Sequence, residues 1–129
     1  MREILFRGKR KDNGEWVYGN LITDGEDVYV LPKEDLLKGL DIGGWIDGVQ
    51  AYEVVPETVG QYTGLTDKNG VKVFEGDIVC IFDGEYFSGV VKYSNEQGSF
   101  TVDDTSLHYW VSDIEVIGNI HDNFELLNK

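Results

Sequence analysis

Two carboxylates set one residue apart form the arrangement in this sequence that comes closest to a catalytic pair. Glu75 and Asp77 flank Gly76, and neighbouring carboxylates can perform general acid–base catalysis when burial separates their pKa values. No base, nucleophile or metal ligand stands beside them in the sequence. We therefore interpret Glu75-Gly76-Asp77 as a tight turn that leads into a strand, whose acids either cap the turn or remain in water.

A second group of acids has the ligand chemistry of a divalent-cation site, because hard cations prefer carboxylate oxygens. The acids concerned are Asp83, Glu85, Asp103 and Asp104. A loop that collects several such oxygens has a spacing of the D-x-[DN]-x-[DN]-G type, and the sequence lacks that pattern. We therefore interpret these four side chains as solvated acids in turns.

The remaining reactive side chains are isolated from one another. His108 and His121 are the two histidines, and a zinc site takes three or four ligands. Cys80 is the single cysteine and lies in the apolar run DIVCIF, which is typical of a buried, inert thiol. Neither G-x-x-x-x-G-K-[ST] nor G-x-S-x-G occurs. We expect no catalytic residue, no metal and no cofactor, and hence not an enzyme; a small enzyme with an unrecognised site is an alternative.

The charge balance limits the classes of partner. The chain of 129 residues carries 24 acidic and 11 basic side chains, a net charge of −13. Nucleic-acid binding needs clustered Lys and Arg that neutralise phosphates, and only the short run RGKRK, residues 7–11, offers a cluster. Direct nucleic-acid binding is therefore disfavoured. An alternative function is an acidic mimic of nucleic acid that occupies a host DNA-binding protein.

The elements that must position these side chains are short strands. Turn signals separate runs of β-forming residues at close intervals, which is typical of an all-β fold. Asn13-Gly14 predicts a type I′ hairpin turn, and Pro32 predicts the end of the third strand. Residues 33–50 predict one or two turns of helix followed by a loop. LHYWVSDIEVIGNI at residues 107–120 is assigned to several short β segments, and the closing HDNFELL predicts a helical turn docked through Phe124 and Leu127.

Three segments of the chain resemble one known family. Residues 55–79, VPETVGQYTGLTDKNGVKVFEGDIV, closely resemble the hallmark segment of the YopX-like proteins of phages and prophages. The opening REILFRGKRKDNGEWVYGNL and the closing VIGNIHDNFELL are similar to the two ends of that family. The resemblance implies a mostly-β fold that contains an SH3-like barrel, and it implies no reaction.

These observations predict one all-β domain with short antiparallel strands and little helix. Residues 1–56 are expected to form β-hairpins with an excursion at 33–50, and residues 57–129 the family motif and the SH3-like barrel, built from about five strands of residues 77–117. Within the motif, Gly64 and Gly70 are expected at positive φ, and Asp67 is expected to form an Asx-turn. The residues assigned to the structural motif are Gly60, Tyr62, Gly64, Asp67, Gly70, Glu75, Gly76 and Asp77.

The functional expectation is an interaction module that self-associates. A strand-rich chain with 3 Trp, 7 Tyr and 6 Phe has sheet edges that need a cover or a partner strand. We expect a homo-oligomer, with a host or phage protein as a further partner. No run approaches a membrane span, and the amino terminus has no apolar stretch of the signal-peptide type. The predicted location is therefore the cytoplasm of a bacterial host.

Overall fold

A computed structural model of the chain describes residues 3–32, 51–82, 84–110 and 112–128. The chain folds into two compact units: an amino-terminal unit, Glu3–Gln61, and a carboxyl-terminal unit that begins at Tyr62. The helix predicted within residues 33–50 lies outside the described residues. No helix of the described part is long and apolar enough to cross a membrane.

The amino-terminal unit is an antiparallel sheet in the order β4-β3-β2-β1. Its strands are β1 (Phe6–Lys9), β2 (Trp16–Asp24), β3 (Asp27–Pro32) and β4 (Tyr52–Val54), followed by a short 3₁₀ helix η1 (Pro56–Thr58). Pro32 ends β3, as predicted. The backbone also ties β4 to the end of β1, since Arg10 and Val54 form a bridge. Val30 and Val54 are completely buried and form the centre of this unit's core.

The predicted hairpin at Asn13-Gly14 is present, but its turn differs from the expected type. Gly14 has a φ of +73°, whereas Asn13 is not among the residues of positive φ, and a type I′ turn needs both. The Arg10 amide donates to the Glu15 carbonyl (2.9 Å) and the Gly14 amide to the Arg10 carbonyl (3.0 Å). The loop is therefore longer than two residues, because Lys11 and Asp12 also lie between the paired residues Arg10 and Glu15.

β5 (Gly60–Thr66) runs from the amino-terminal unit into the carboxyl-terminal one, and eight further elements follow it before the final 3₁₀ helix. They are β6 (Lys72–Phe74), β7 (Asp77–Phe82), β8 (Tyr86–Val90), β9 (Lys92–Ser94), β10 (Ser99–Val102), β11 (Thr105–Ser106), α1 (Leu107–Trp110) and β12 (Ile114–Asn119). The final element is η2 (Phe124–Asn128). All described strand pairs are antiparallel.

Besides the paired strands β5 and β6, the carboxyl-terminal unit contains two three-stranded sheets, one in the order β12-β7-β8 and the other in the order β11-β10-β9. β8 and β9 are one run of chain interrupted at Val91, so this run crosses from the first sheet to the second. Their shared core consists of Val73, Val79, Ile81, Val91, Val102, Leu107, Trp110 and Ile114. The alternation of β7 places Val79 and Ile81 in this core.

The all-β class predicted from the turn spacing is confirmed, since the described residues contain twelve strands, one four-residue α-helix and two 3₁₀ helices. The barrel is not closed: no ladder among the described strands joins β12-β7-β8 to β11-β10-β9.

Two local assignments near the end of the chain were right only in part, since residues 107–120 contain the strand β12 but begin with a helix, and the closing turn is present but not docked as predicted. LHYW forms α1, and only Leu107 and Trp110 of its side chains are buried, so its apolar residues follow a helical spacing. The 3₁₀ turn at the end is present, but Phe124 is 61% exposed and does not dock it. The side chain of Leu127 lies outside the described residues.

Candidate functional site

The Asp67 side chain organises the turn between β5 and β6. Its Oδ1 accepts hydrogen bonds from the amides of Asn69 (2.8 Å) and Val71 (2.9 Å), which is the Asx geometry expected from the sequence. The Asp67 amide donates to the Val71 carbonyl (2.8 Å), and the Gly70 amide donates to the Asp67 carbonyl (3.0 Å). Gly70 has a φ of +82°. We call residues 67–71 the Asp67 turn.

The Asp67 turn also covers the outer edge of β12. Oδ2 of Asp67 accepts a hydrogen bond from the Val116 amide (2.9 Å), and the Lys68 amide donates to the Ile114 carbonyl (3.2 Å). Asn69 Nδ2 donates to Glu115 Oε2 (3.0 Å). A turn acid thus satisfies a backbone donor that a further strand would otherwise pair with.

The carboxylate of Asp67 is charged in the folded protein. Burial by itself raises the pKa of this group, but hydrogen bonds from the amides of Val116, Val71 and Asn69 and the nearby charge of Lys68 outweigh that effect and lower the pKa below its ordinary value. The residue is only 5% exposed. Its role is structural, because its hydrogen bonds within the described residues go to backbone amides of its own unit.

The Glu75-Gly76-Asp77 turn is a buried junction between β6 and β7. Gly76 has a φ of +92°, a conformation that side chains with a Cβ rarely adopt. Its amide donates to the Val91 carbonyl (2.8 Å), and its carbonyl accepts from the Ile120 amide (3.0 Å). Asp77 is 2% exposed, and its Oδ2 accepts from the Phe74 amide (2.7 Å). The acid therefore caps the turn, one of the two alternatives left open by the sequence.

The other motif residues, Gly60, Tyr62 and Gly64, lie on β5. Gly60 lies opposite Arg7 in the β1–β5 pairing. Tyr62 is buried, faces Phe74 with ring centroids 5.6 Å apart, and carries the Lys72 ammonium 5.3 Å from its ring centroid. Gly64 has a φ of +89° at a register irregularity in the β5–β6 ladder. These residues thus contribute to the backbone geometry and the packing of β5 and β6.

The described acids among those considered for a cation site form no group that could hold a metal ion. Asp103 and Asp104 are exposed, have φ values of +52° and +62°, and form the turn between β10 and β11. Asp83 lies outside the described residues. Within the described part of the chain, no group of three or more His, Cys, Asp or Glu residues could hold a metal ion. Cys80 is half-buried on β7 rather than fully buried.

The basic run at residues 7–11 is engaged within its own unit. The Arg10 guanidinium makes two hydrogen bonds to the Asp12 carboxylate (2.9 and 2.6 Å) and lies 4.1 Å from the centroid of the Tyr52 ring. Lys11 Nζ donates to Glu53 Oε2 (2.9 Å). A shallow cavity of about 160 Å³ adjoins these groups, which is smaller than ordinary ligand pockets.

Two exposed aromatic side chains form an apolar surface at the start of β8. Phe82 and Tyr86 face each other across the β7–β8 hairpin with ring centroids 4.9 Å apart, and they are 50% and 73% exposed. β8 is the last strand of its sheet. Although η2 lies beside it, no backbone–backbone hydrogen bond among the described residues reaches its outer edge. We call Phe82, Tyr86 and the outer edge of β8 the β8 surface.

A family model described as YopX protein matches residues 5–128. The chain belongs to the YopX family. The crystal structure of protein EF1440 from Enterococcus faecalis is similar, with a TM-score of 0.64 and 23% sequence identity, over 98% of this chain and 99% of that chain. At this identity the likeness establishes the fold alone. No curated protein matches the chain.

Membership of the YopX family confirms the resemblance predicted from residues 55–79, and it assigns no reaction to the fold. The sequence did not reveal the contact between the Asp67 turn and β12, because Asp67 and Val116 are 49 residues apart. It also did not single out Phe82 and Tyr86 as a surface. The only signal for that surface was a pair of aromatic residues on either side of the Asp83-Gly84 turn.

Proposed function

We propose that this YopX family member is a protein-interaction module that self-associates through the β8 surface. It acts by binding rather than by catalysis, in the cytoplasm of a bacterial host that carries the phage or prophage. The observation that supports this is the exposed Phe82–Tyr86 pair beside an edge of β8 that no described backbone hydrogen bond reaches. A host or phage protein is a further partner for such a module.

Exposed aromatic rings and an edge without described backbone hydrogen bonds together favour a protein partner. Edge strands are usually shielded by charge, Pro or a covering segment, and the β8 sequence YFSGV contains neither charge nor Pro. Contiguous exposed apolar side chains mark interaction sites, and Tyr is enriched in the centres of interfaces. An oligomer buries the rings and the edge backbone in one step.

The ion pairs of the basic run and the lack of basic residues in β7 and β8 argue against direct nucleic-acid binding. Arg10 and Lys11 are paired with the carboxylates of Asp12 and Glu53, so the basic run has less positive charge to offer to phosphates. The aromatic residues of the β8 surface have no basic groove beside them in the sequence of β8 or in that of β7, DIVCIF. Stacking of single strands needs both.

Sedimentation equilibrium at physiological salt tests the proposal. At about 50 μM, above the micromolar limit of ordinary specific interfaces, we expect a species heavier than the 14.6 kDa chain. The variant Phe82→Ser/Tyr86→Ser is expected to return to 14.6 kDa. Tyr109→Ser is the matched control, since Tyr109 is 71% exposed but lies on α1, and it is expected to keep the parent's mass.

Two results contradict the proposal. One is a parent protein that remains at 14.6 kDa throughout the concentration range, which means that the chain covers its edges without a partner copy. The other is an oligomer whose mass is unchanged by Phe82→Ser/Tyr86→Ser but lost in Tyr109→Ser. That outcome moves the interface to α1 and removes the β8 surface from it.

A further inference from the structure

The direction of the backbone groups along β8 can be assigned from its bonds to β7. The Val91 amide donates to the Asp77 carbonyl (2.9 Å), and the Val91 carbonyl accepts from Gly76 (2.8 Å). Hydrogen-bonded and non-bonded residues alternate along an antiparallel strand. Phe87 and Gly89 therefore bond towards β7, whereas Tyr86, Ser88 and Val90 direct their amides and carbonyls outwards.

The opposite edge of the same sheet supports this alternation. Val116 and Ile114 direct their backbone groups to the Asp67 turn, while Glu115 between them lies opposite Cys80 of β7. Two outward groups of β12, the Val116 amide and the Ile114 carbonyl, are thus bonded within the chain. Those of Tyr86, Ser88 and Val90 have no backbone partner among the residues that the structure describes.

We propose that a second copy of this chain pairs its β8 antiparallel with β8, across a twofold axis at Ser88. This inference rests on the proposed self-association and specifies its interface. A twofold axis requires one residue to lie opposite its own counterpart. Ser88 is the middle one of the three outward residues, so this register lets the amides and carbonyls of all three form bonds, with Tyr86 opposite Val90.

The side chains of β8 favour a second copy as the occupant. The strand has no charge, so two chains of net charge −13 meet where neither brings a carboxylate. Glu85 precedes β8 and Lys92 follows it, and antiparallel pairing brings each Glu85 end beside the Lys92 end of the other strand. Parallel pairing would place like charges together, which is unfavourable. Phe87 lies on the other face of the strand. In this register it is opposite Gly89 of the second copy, which has no side chain that could clash with the ring.

Substitution of Ser88 tests the register with little effect on the ladder to β7. Ser88→Pro removes an amide that points outwards, and Pro is tolerated at an edge where the N–H faces solvent. Ser88→Lys places two ammonium groups across the axis, whereas Ser88→Thr keeps the amide and adds no charge. We expect Pro and Lys to raise the dissociation constant roughly tenfold or more, through lost hydrogen bonds or repulsion. Thr is expected to change it by less than about threefold.

Circular dichroism melting distinguishes loss of the interface from loss of the fold. Ser88→Lys is the decisive variant if Ser88→Pro melts early, because it leaves the backbone unchanged. If the parent self-associates but both variants keep its dissociation constant, the β8 register is wrong while the proposed function stands. If the parent is monomeric, the β8 register and the proposed function both fail.

Cross-linking provides a second, independent measurement. Cys80 lies opposite Ser88 on β7, so Cys80→Ser is introduced first and Ser88→Cys second. A short bifunctional maleimide is expected to join two chains through residue 88. Tyr109→Cys in the same background is the control and is expected to remain uncoupled. Equal coupling at both positions, or coupling at Tyr109→Cys alone, overturns the assignment of the axis to Ser88.

Discussion

The two outer strands of the β12-β7-β8 sheet differ in how their edges are treated. On β12 the Val116 amide and the Ile114 carbonyl are bonded to the Asp67 turn. On β8 no described backbone group plays this part, and two exposed rings, Phe82 and Tyr86, lie at its start. One edge is therefore closed by a segment of the chain itself, and the other is the edge to which our proposal assigns the partner strand.

This difference shows that a turn acid can protect an edge. Acids in turns are expected to shield loops rather than strands, yet the two oxygens of Asp67 divide between these tasks. Oδ1 closes the turn through Asn69 and Val71, and Oδ2 reaches the Val116 amide on β12. A single carboxylate couples the family motif to the strand near the end of the chain. β8 has no comparable acid within its own sequence.

Removing this carboxylate should break the closed edge and have the largest effect. Asp67 itself is 5% exposed, and Asp67→Ala leaves the amides at three part-buried hydrogen bonds without their acceptor. Unsatisfied buried donors cost about 1 kcal/mol or more each, so we expect a loss of about 3–4 kcal/mol in the free energy of unfolding. Urea denaturation measures it.

Asp113→Ala is the matched control for Asp67→Ala, because Asp113 is an exposed acid that directly precedes β12. We expect a change within about 0.5 kcal/mol, as for other surface substitutions. Equal losses in the two variants would mean that charge near β12, rather than the bonds of Asp67, stabilises this edge.

The junction at Gly76 sets the alternation that turns Ser88 outwards, and it is the next most sensitive position. Gly76→Val forces a β-branched residue to a φ of +92° beside the bonds to Val91. We expect a loss of about 2–3 kcal/mol. Thermal melting of Gly76→Val against the parent measures it, with Gly98→Val as a comparison. Gly98 also has a positive φ, +67°, but an added Cβ there meets open space, so its loss should be smaller.

Local structure was predictable where neighbouring residues determine it. Asp67 and Gly70 indicate their turn because an Asx bond reaches only two residues ahead and Gly accepts a positive φ. Pro32 indicates the end of β3 for a similar reason, since proline cannot donate to a ladder. These predictions depend on intrinsic conformational preferences, which the chain carries in any context.

Long-range structure was not predictable from the same patterns. The bond from Val116 to Asp67 joins residues 49 positions apart, and no local spacing records which strand a turn will meet. The LHYW segment shows the converse problem, since β-forming Tyr109 and Trp110 lie in a helix where Leu107 and Trp110 pack into the core. Tertiary packing overrides β-propensity there.

A neutral isostere at residue 67 separates charge from shape at the closed edge. Asp67→Asn keeps the size of the side chain but directs an amide at one of the three donors that the carboxylate accepts. We expect a loss of about 2 kcal/mol at pH 7, between the effects of a conservative change and of truncation.

The pH dependence of stability compares the charged and the neutral form of Asp67 within the parent protein itself. The folded pKa of Asp67 is lowered, so at pH values between the folded and unfolded pKa the unfolded chain binds more protons. The contribution of the Asp67 carboxylate to the free energy of unfolding is complete above about pH 4, near the ordinary pKa of Asp. It is lost as the pH falls further through the folded pKa. Denaturation between pH 6 and pH 3 should show a steeper loss in the parent than in Asp67→Asn. Parallel curves would remove Asp67 from the acid response.

The open edge should respond to salt in a way that the closed edge does not. Each copy carries a charge of −13, so two copies repel each other while the uncharged β8 strands pair. Screening extends to about 30 Å at 0.01 M salt but only about 8 Å at 0.15 M. The dissociation constant measured by sedimentation should therefore rise several-fold at 0.01 M, an effect of about 1 kcal/mol. The contact of the Asp67 carboxylate with β12 is a short, part-buried hydrogen bond within one chain, so the stability difference between the parent and Asp67→Ala should change little. A dissociation constant that falls at low salt would mean that attraction between charges holds the copies together, and the pairing of uncharged β8 strands should then be abandoned.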